Sequence, residues 1–155
     1  CKHLATGVLG PVDLFSGAPP EYITMVFLSL TPFRCTAGET VIEAGQPGTC
    51  MYIIYKGKVK IVSASRASTG SVTLGPGSVF GEVSCLTDDL AYKRTTTVVA
   101  LEYCELYVLE RDVLQLANSL CPEMQRRFEV LATSRVTDLD ILNKQVLQQK
   151  EKSGK

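Results

Sequence analysis

The sequence has little with which to hold a metal or build a nucleophile. One histidine stands in 155 residues, and the six cysteines, at 1, 35, 50, 85, 104 and 121, form no CxxC pair. That scatter argues against a zinc site or a disulfide framework and fits small buried hydrophobes in a reducing cytosol. No nucleophile–base pair emerges from the pattern, so an enzyme is not expected. Net charge is missing as well, because sixteen basic residues cancel sixteen acidic ones. Nucleic acids and anionic membranes are therefore not expected partners, and any anion must be met locally. No apolar run approaches the ~20 residues of a membrane span, and no signal peptide is visible. The chain opens on Cys1 rather than methionine, and reads as a soluble domain taken from something longer.

What is present fits a single domain with a sizeable core. Residues 1–13 are a lead-in of weak pattern, interrupted by Gly7, Gly10 and Pro11. Pro19 or Pro20 can open a helix, since a first turn does not need the missing N–H. Tyr22, Ile23, Val26, Phe27 and Leu30 follow at helical spacing, which predicts a helix ending near Thr31-Pro32.

From Phe33 to Leu109 the period is that of strands, punctuated by glycine. The runs Thr40–Ile42, Met51–Tyr55, Lys58–Val62, Ser71–Leu74, Thr95–Ala100 and Glu105–Glu110 read as strands. Lys56-Gly57 reads as a hairpin turn and Ser63–Gly70 as a polar, mobile loop. Many short strands with tight turns imply a closed or rolled antiparallel sheet. The helical period returns over Arg111–Ser119, breaks at Cys121-Pro122, and resumes in the longest helix. Met124, Phe128, Leu131, Ala132, Arg135, Val136, Leu139, Leu142 and Val146 form its stripe. Residues 148–155 are a polar tail.

The stretch that organises the rest is Phe80–Ala100, FGEVSCLTDDLAYKRTTTVVA. Arg94 can offer two parallel donors to a compact anion such as a phosphate. A helical turn at Val83–Leu86, Ser84 included, would aim free N–H groups at the same anion. Gly81 would let backbone approach it closely. The hydroxyls of Thr95, Thr96 and Thr97 complete a phosphate and sugar trap, although β-propensity alone also explains them.

Gly38, Gly45, Gly57, Gly77, the Met51–Ile54 strand, Phe80-Gly81-Glu82 and Arg94-Thr95 together resemble the cyclic-nucleotide-binding domain family, over about Leu14 to Asn143. The segment 119–140 is most similar to the cytosolic domains of cyclic-nucleotide-gated and hyperpolarisation-activated channels. The resemblance implies an α+β fold: an eight-stranded, jelly-roll-like antiparallel β-roll with an inserted short helix, an N-terminal helix and two C-terminal helices. It assigns residues 14–147 to the domain. It implies that Glu82 accepts from the ribose 2′-OH and that Thr95 reaches phosphate or the guanine 2-amino group. Ile61, Val72 and Leu74 would wall the base, with Arg135, Leu139 and an aspartate, Asp138 or Asp140, above it.

The implied protein is a non-enzymatic cytosolic sensor on a ligand-gated, potassium-channel-type protein of the plasma membrane. It would take cGMP, or cAMP, as regulatory ligand, need no metal, and close its last helix as a lid that moves the pore through the lead-in. The isolated domain would be monomeric and the channel tetrameric or pseudo-tetrameric. Rival readings are the sensor of a kinase, exchanger or exchange factor, and an interaction module with a vestigial pocket. The loop Asp88–Tyr92 departs from the channel pattern by its length and its two carboxylates.

Overall fold

The computed structural model describes residues 7–63, 71–86, 91–131 and 133. A helical start at 7–9 and a 3-10 turn at Asp13–Phe15 lead into helix α1, Pro20–Ser29, with its proline in the first turn. Eight strands follow: β1 (Thr31–Cys35), β2 (Thr40–Ile42), β3 (Cys50–Lys56), β4 (Val59–Ser63), β5 (Ser71–Leu74), β6 (Val79–Phe80), β7 (Thr96–Ala100) and β8 (Cys104–Glu110). The short helix α2, Val83–Leu86, is inserted between β6 and β7. Helix α3, Arg111–Ser119, and helix α4, residues 122–131, complete the described chain.

The strands form two antiparallel four-stranded sheets, ordered β1-β8-β3-β6 and β2-β7-β4-β5. The expected α+β roll with an inserted helix is therefore present, and its layers follow from the alternation within each strand. In β3, Met51 and Ile53 face one way and join a core with Val8, Leu9, Val12, Phe15, Val26, Leu109, Leu114, Met124 and Phe128. Ile54 faces the other way, with Phe80, Cys104 and Leu106, against Ile42, Val59, Val98 and Ala100 of the second sheet. The first sheet is thus covered by helices on one face and by the second sheet on the other.

Two local expectations change. Lys56-Gly57 is not a hairpin, because β3 pairs with β6 and β8 while β4 pairs with β5 and β7. Both edges of β3 are taken, so the chain leaves for the other sheet. Gly57 permits the switch with φ +96° and lies where a Cβ would be 2.4 Å from the Tyr103 carbonyl oxygen. The helix α1 also ends at Ser29, and Thr31-Pro32 start β1 instead. Pro32 is tolerated there because β1 is an edge strand. The two-residue strand β6 falls on Val79-Phe80, which is too short a run to show a period.

The Ser63–Gly70 loop, apart from the backbone of Ser63 at the end of β4, lies outside the described residues. So do Asp88, Asp89, the stripe beyond Leu131 and the tail 148–155. The lead-in is packed from residue 8 onwards: Val8, Leu9 and Val12 are buried, and Phe15 meets the Phe128 ring edge-on at 5.9 Å.

Candidate functional site

The site is built around Arg94, a buried arginine just before β7. Its backbone is fixed on both sides: the Arg94 N–H donates to the Gln46 carbonyl at 2.8 Å, and the Gly45 N–H donates to the Arg94 carbonyl at 2.7 Å. The side chain then runs along bare backbone at Gly48, where an added Cβ would lie 2.1 Å from Nε. Nη1 donates to the Gly81 carbonyl (3.2 Å) and the Ser84 hydroxyl (3.0 Å), and Nη2 to the Cys50 carbonyl (2.8 Å). Gly81, at φ +80°, turns the chain from β6 into α2 within van der Waals reach of this guanidinium. The guanidinium is therefore held as a planar fork between the start of β3 and the turn before α2.

Of the residues the sequence singles out, Phe80, Gly81, Glu82, Val83 and Ser84 lie in one continuous turn beside Arg94. Ser84 is buried, with its hydroxyl in reach of two acceptors for its single proton, the Gly81 carbonyl (2.8 Å) and the Cys50 carbonyl (2.9 Å), which places it between the turn and β3. Glu82 is only 1% exposed and has interactions of its own within the protein. Thr95 is exposed and Thr96 half-buried, whereas the Thr97 hydroxyl accepts from the Ala44 N–H and is structural.

The register carries the site away from Arg94. Ile42 pairs with Val98, Val98 with Ile61, and Ile61 with Val72, so these four form a row across the inner face of the second sheet. Leu74, opposite Val59, lies on the same face one step along. Exposure grows along the row: Ile42 and Val98 are buried, Ile61 is half-buried, and Val72 is 37% exposed. The row starts beside the Phe80–Ser84 turn, since Ile42 Cδ1 is 3.2 Å from the position of a Cβ on Gly81. A charged cradle and an apolar wall thus share one surface. Arg135, Asp138 and Leu139 lie outside the described residues.

Sequence reasoning passed over several members. Tyr92 is half-buried among Arg94, Thr95 and Glu82; burial pushes its phenol up, and the Arg94 charge and a hydrogen bond with Thr95 offset part of that. Tyr92 is the one aromatic between Glu82 and Arg94, which was its only signal. Gly48, Cys50 and Arg111 had none, because their roles arise from contacts distant in sequence. The Cys50 thiol lies 3.7 Å from Arg94 Nη2 and also faces Tyr52, whose phenol burial pushes up to about 12.

A family model described as the cyclic nucleotide-binding domain matches residues 32–119, the span from β1 to the end of α3. The chain belongs to this family. It is similar to the human cyclic nucleotide-gated channel beta-3, 34% identical over 119 residues, 77% of this chain and 15% of that protein. It is also similar to the human potassium/sodium hyperpolarization-activated cyclic nucleotide-gated channel 3, 32% identical over 144 residues, 93% of this chain and 18% of that one. The chain thus spans less than a fifth of either relative.

Among solved structures, the catabolite activator protein of Thermus thermophilus aligns with TM-score 0.69 and 26% identity, covering 83% of this chain and 60% of that one. The regulatory domain of Toxoplasma gondii PKA, solved with cAMP, shares the fold at TM-score 0.66 and 23% identity, over 76% of this chain and 45% of that one. Among the described residues no helix is long and apolar enough to cross a membrane.

Proposed function

We propose that this domain is a non-enzymatic sensor that binds a cyclic nucleotide, with cGMP favoured over cAMP, and reports the binding to the pore of a channel. The observation that carries the reading is the shared surface of the Arg94 cradle and the Ile42–Val98–Ile61–Val72 row. A cyclic phosphate monoanion takes the Arg94 fork, competing with the Gly81 carbonyl and the Ser84 hydroxyl for its N–H donors. The purine lies along Ile61, Val72 and Leu74, where the row leaves the core. Glu82 accepts from the ribose 2′-OH, and Thr95 and Thr96 add hydroxyls at the phosphate end.

In this reading Arg135, Asp138 and Leu139 come from a lid over the base, and closure is a population shift with a coupling of typically ~1–3 kcal/mol. Residues 14–147 form the binding unit. The link towards the pore is residues 1–13, and the burial of Val8, Leu9 and Val12 with Phe128 supports a rigid connection between lead-in and α4. The channel context is supported by the relatives, and a tetrameric or pseudo-tetrameric full protein in the plasma membrane follows from it.

Titration calorimetry of this chain with cAMP, cGMP and 2′-deoxy-cGMP tests the reading. It predicts saturable binding of both cyclic nucleotides, tighter for cGMP, and weaker binding of the deoxy compound. Absence of heat and of any rise in melting temperature with either natural nucleotide at millimolar concentration would overturn it.

A further inference from the structure

The cyclic-nucleotide reading gives no use to Arg111, which is half-buried at the start of α3 against the walls of the site. Its Nε–H donates to the Ser84 carbonyl at 2.6 Å and its Nη2 to the Gly48 carbonyl at 2.9 Å. Its backbone N–H donates to the Thr49 carbonyl at 2.8 Å. Both side-chain acceptors belong to residues that also hold Arg94. Ser84 meets Arg94 through its hydroxyl, and Gly48 is the bare backbone along which the Arg94 side chain runs. One turn further along α3, Gln115 donates to the Cys85 carbonyl at 3.3 Å, so α3 grips the far end of α2 twice.

The two walls of the Arg94 cradle come from parts of the chain 27 and 63 residues before Arg111. Bidentate recognition of an anion by a guanidinium requires fixed geometry, and a fork whose walls drift apart loses it. We infer that Arg111 is a positioning residue for nucleotide binding: by bridging Ser84 and Gly48 it sets the width of the slot in which Arg94 presents its fork. The inference rests on the cyclic-nucleotide reading above. Arg111 acts through these walls, its own fork being turned to carbonyls. Its effect therefore falls on the phosphate end and not on the choice of base. It also joins the cradle directly to α3, the element that leads into α4.

The test is a double-mutant cycle by titration calorimetry with cAMP and cGMP, with thermal melts of every variant. Arg111→Gln is expected to weaken both nucleotides by the same factor, about tenfold, the scale of one lost charge-assisted contact. Arg111→Lys keeps the charge but reaches only one carbonyl, and is expected to lose about threefold. In an Arg94→Lys background, where no fork remains to be positioned, Arg111→Gln should cost less than about twofold. Wild-type affinity in Arg111→Gln, or the same full loss in both backgrounds, would overturn the positioning role. If Arg111→Gln does not fold, Arg111→Lys carries the same cycle. Folded wild-type chain that binds neither nucleotide would instead sink the binding reading, and this role with it.

Discussion

The sheet β1-β8-β3-β6 is covered on both faces along most of its central strands, whereas β2-β7-β4-β5 has an outer face, carrying Lys60 and Thr73, open to solvent. In the first, the central strand β3 reads as a nearly unbroken apolar run, since Met51 and Ile53 serve the helices and Ile54 the other sheet. In the second, Val59 and Ile61 alternate with exposed Lys60. The first sheet carries most of the packing, and it enters the site only at its edge, through the Cys50 carbonyl of β3 and the turn that leaves β6. The second has an inner face that starts in the core at Val98 and ends half outside it at Val72. In the proposed reading the apolar wall for the base lies on the second sheet and most of the packing on the first, and substitutions should separate the two.

The largest effect should come from the scaffold. Phe128 is fully buried between the helices and meets Phe15 edge-on. Phe128→Ala is expected to cost about 3–5 kcal/mol of stability by denaturant unfolding. Affinity in the folded fraction should change far less, and an equal loss of both would erase the distinction between the sheets. Gly48→Ala falls on the site instead. Its Cβ would lie 2.1 Å from Arg94 Nε, so the arginine must move. Cyclic-nucleotide binding should weaken by about 2 kcal/mol, the low end for losing one partner of a charged contact, and overpacking should itself cost about 1–3 kcal/mol of stability.

Val72→Ser probes the open end of the row. At 37% exposure the substitution should leave stability within about 0.5 kcal/mol. Affinity should fall by about 1 kcal/mol, the scale of a lost methylene contact or two against the base. The smallest effect is a pH dependence of the scaffold. Burial pushes the Cys85 thiol from 9.0 up to about 12, with Ser84, Arg94 and Arg111 offsetting part of it. The folded state therefore favours the protonated thiol, and this contribution is full below pH ~9 and lost as pH rises towards ~12. The melting temperature should hold from about pH 7 to 8.5 and fall above, with a shallower fall in Cys85→Ala.

Much of this arrangement was legible before folding. The Arg111–Ser119 helix and the strands over 40–42 and 71–74 follow from period and punctuation, and the meeting of the Phe80–Ser84 turn with Arg94 from Phe80-Gly81-Glu82 and Arg94. Sheet membership was not. The Lys56-Gly57 turn looks local in the sequence, yet what decides it is that β6 and β8 already occupy both edges of β3. The same limit hid Gly48 and Arg111, whose meaning comes from a hydrogen bond across 63 residues. Periodicity reports which face of an element is buried; it carries no information on which distant backbone a side chain will meet.

The central claim is that Arg94 is the anion receptor of this domain. Titration of cGMP into the wild-type chain and into Arg94→Ala, side by side and with melts to check folding, tests it most directly. A loss of about 2–5 kcal/mol is expected, the range for removing one partner of a buried charged contact. Unchanged affinity in a folded Arg94→Ala chain would contradict the account and place the phosphate elsewhere.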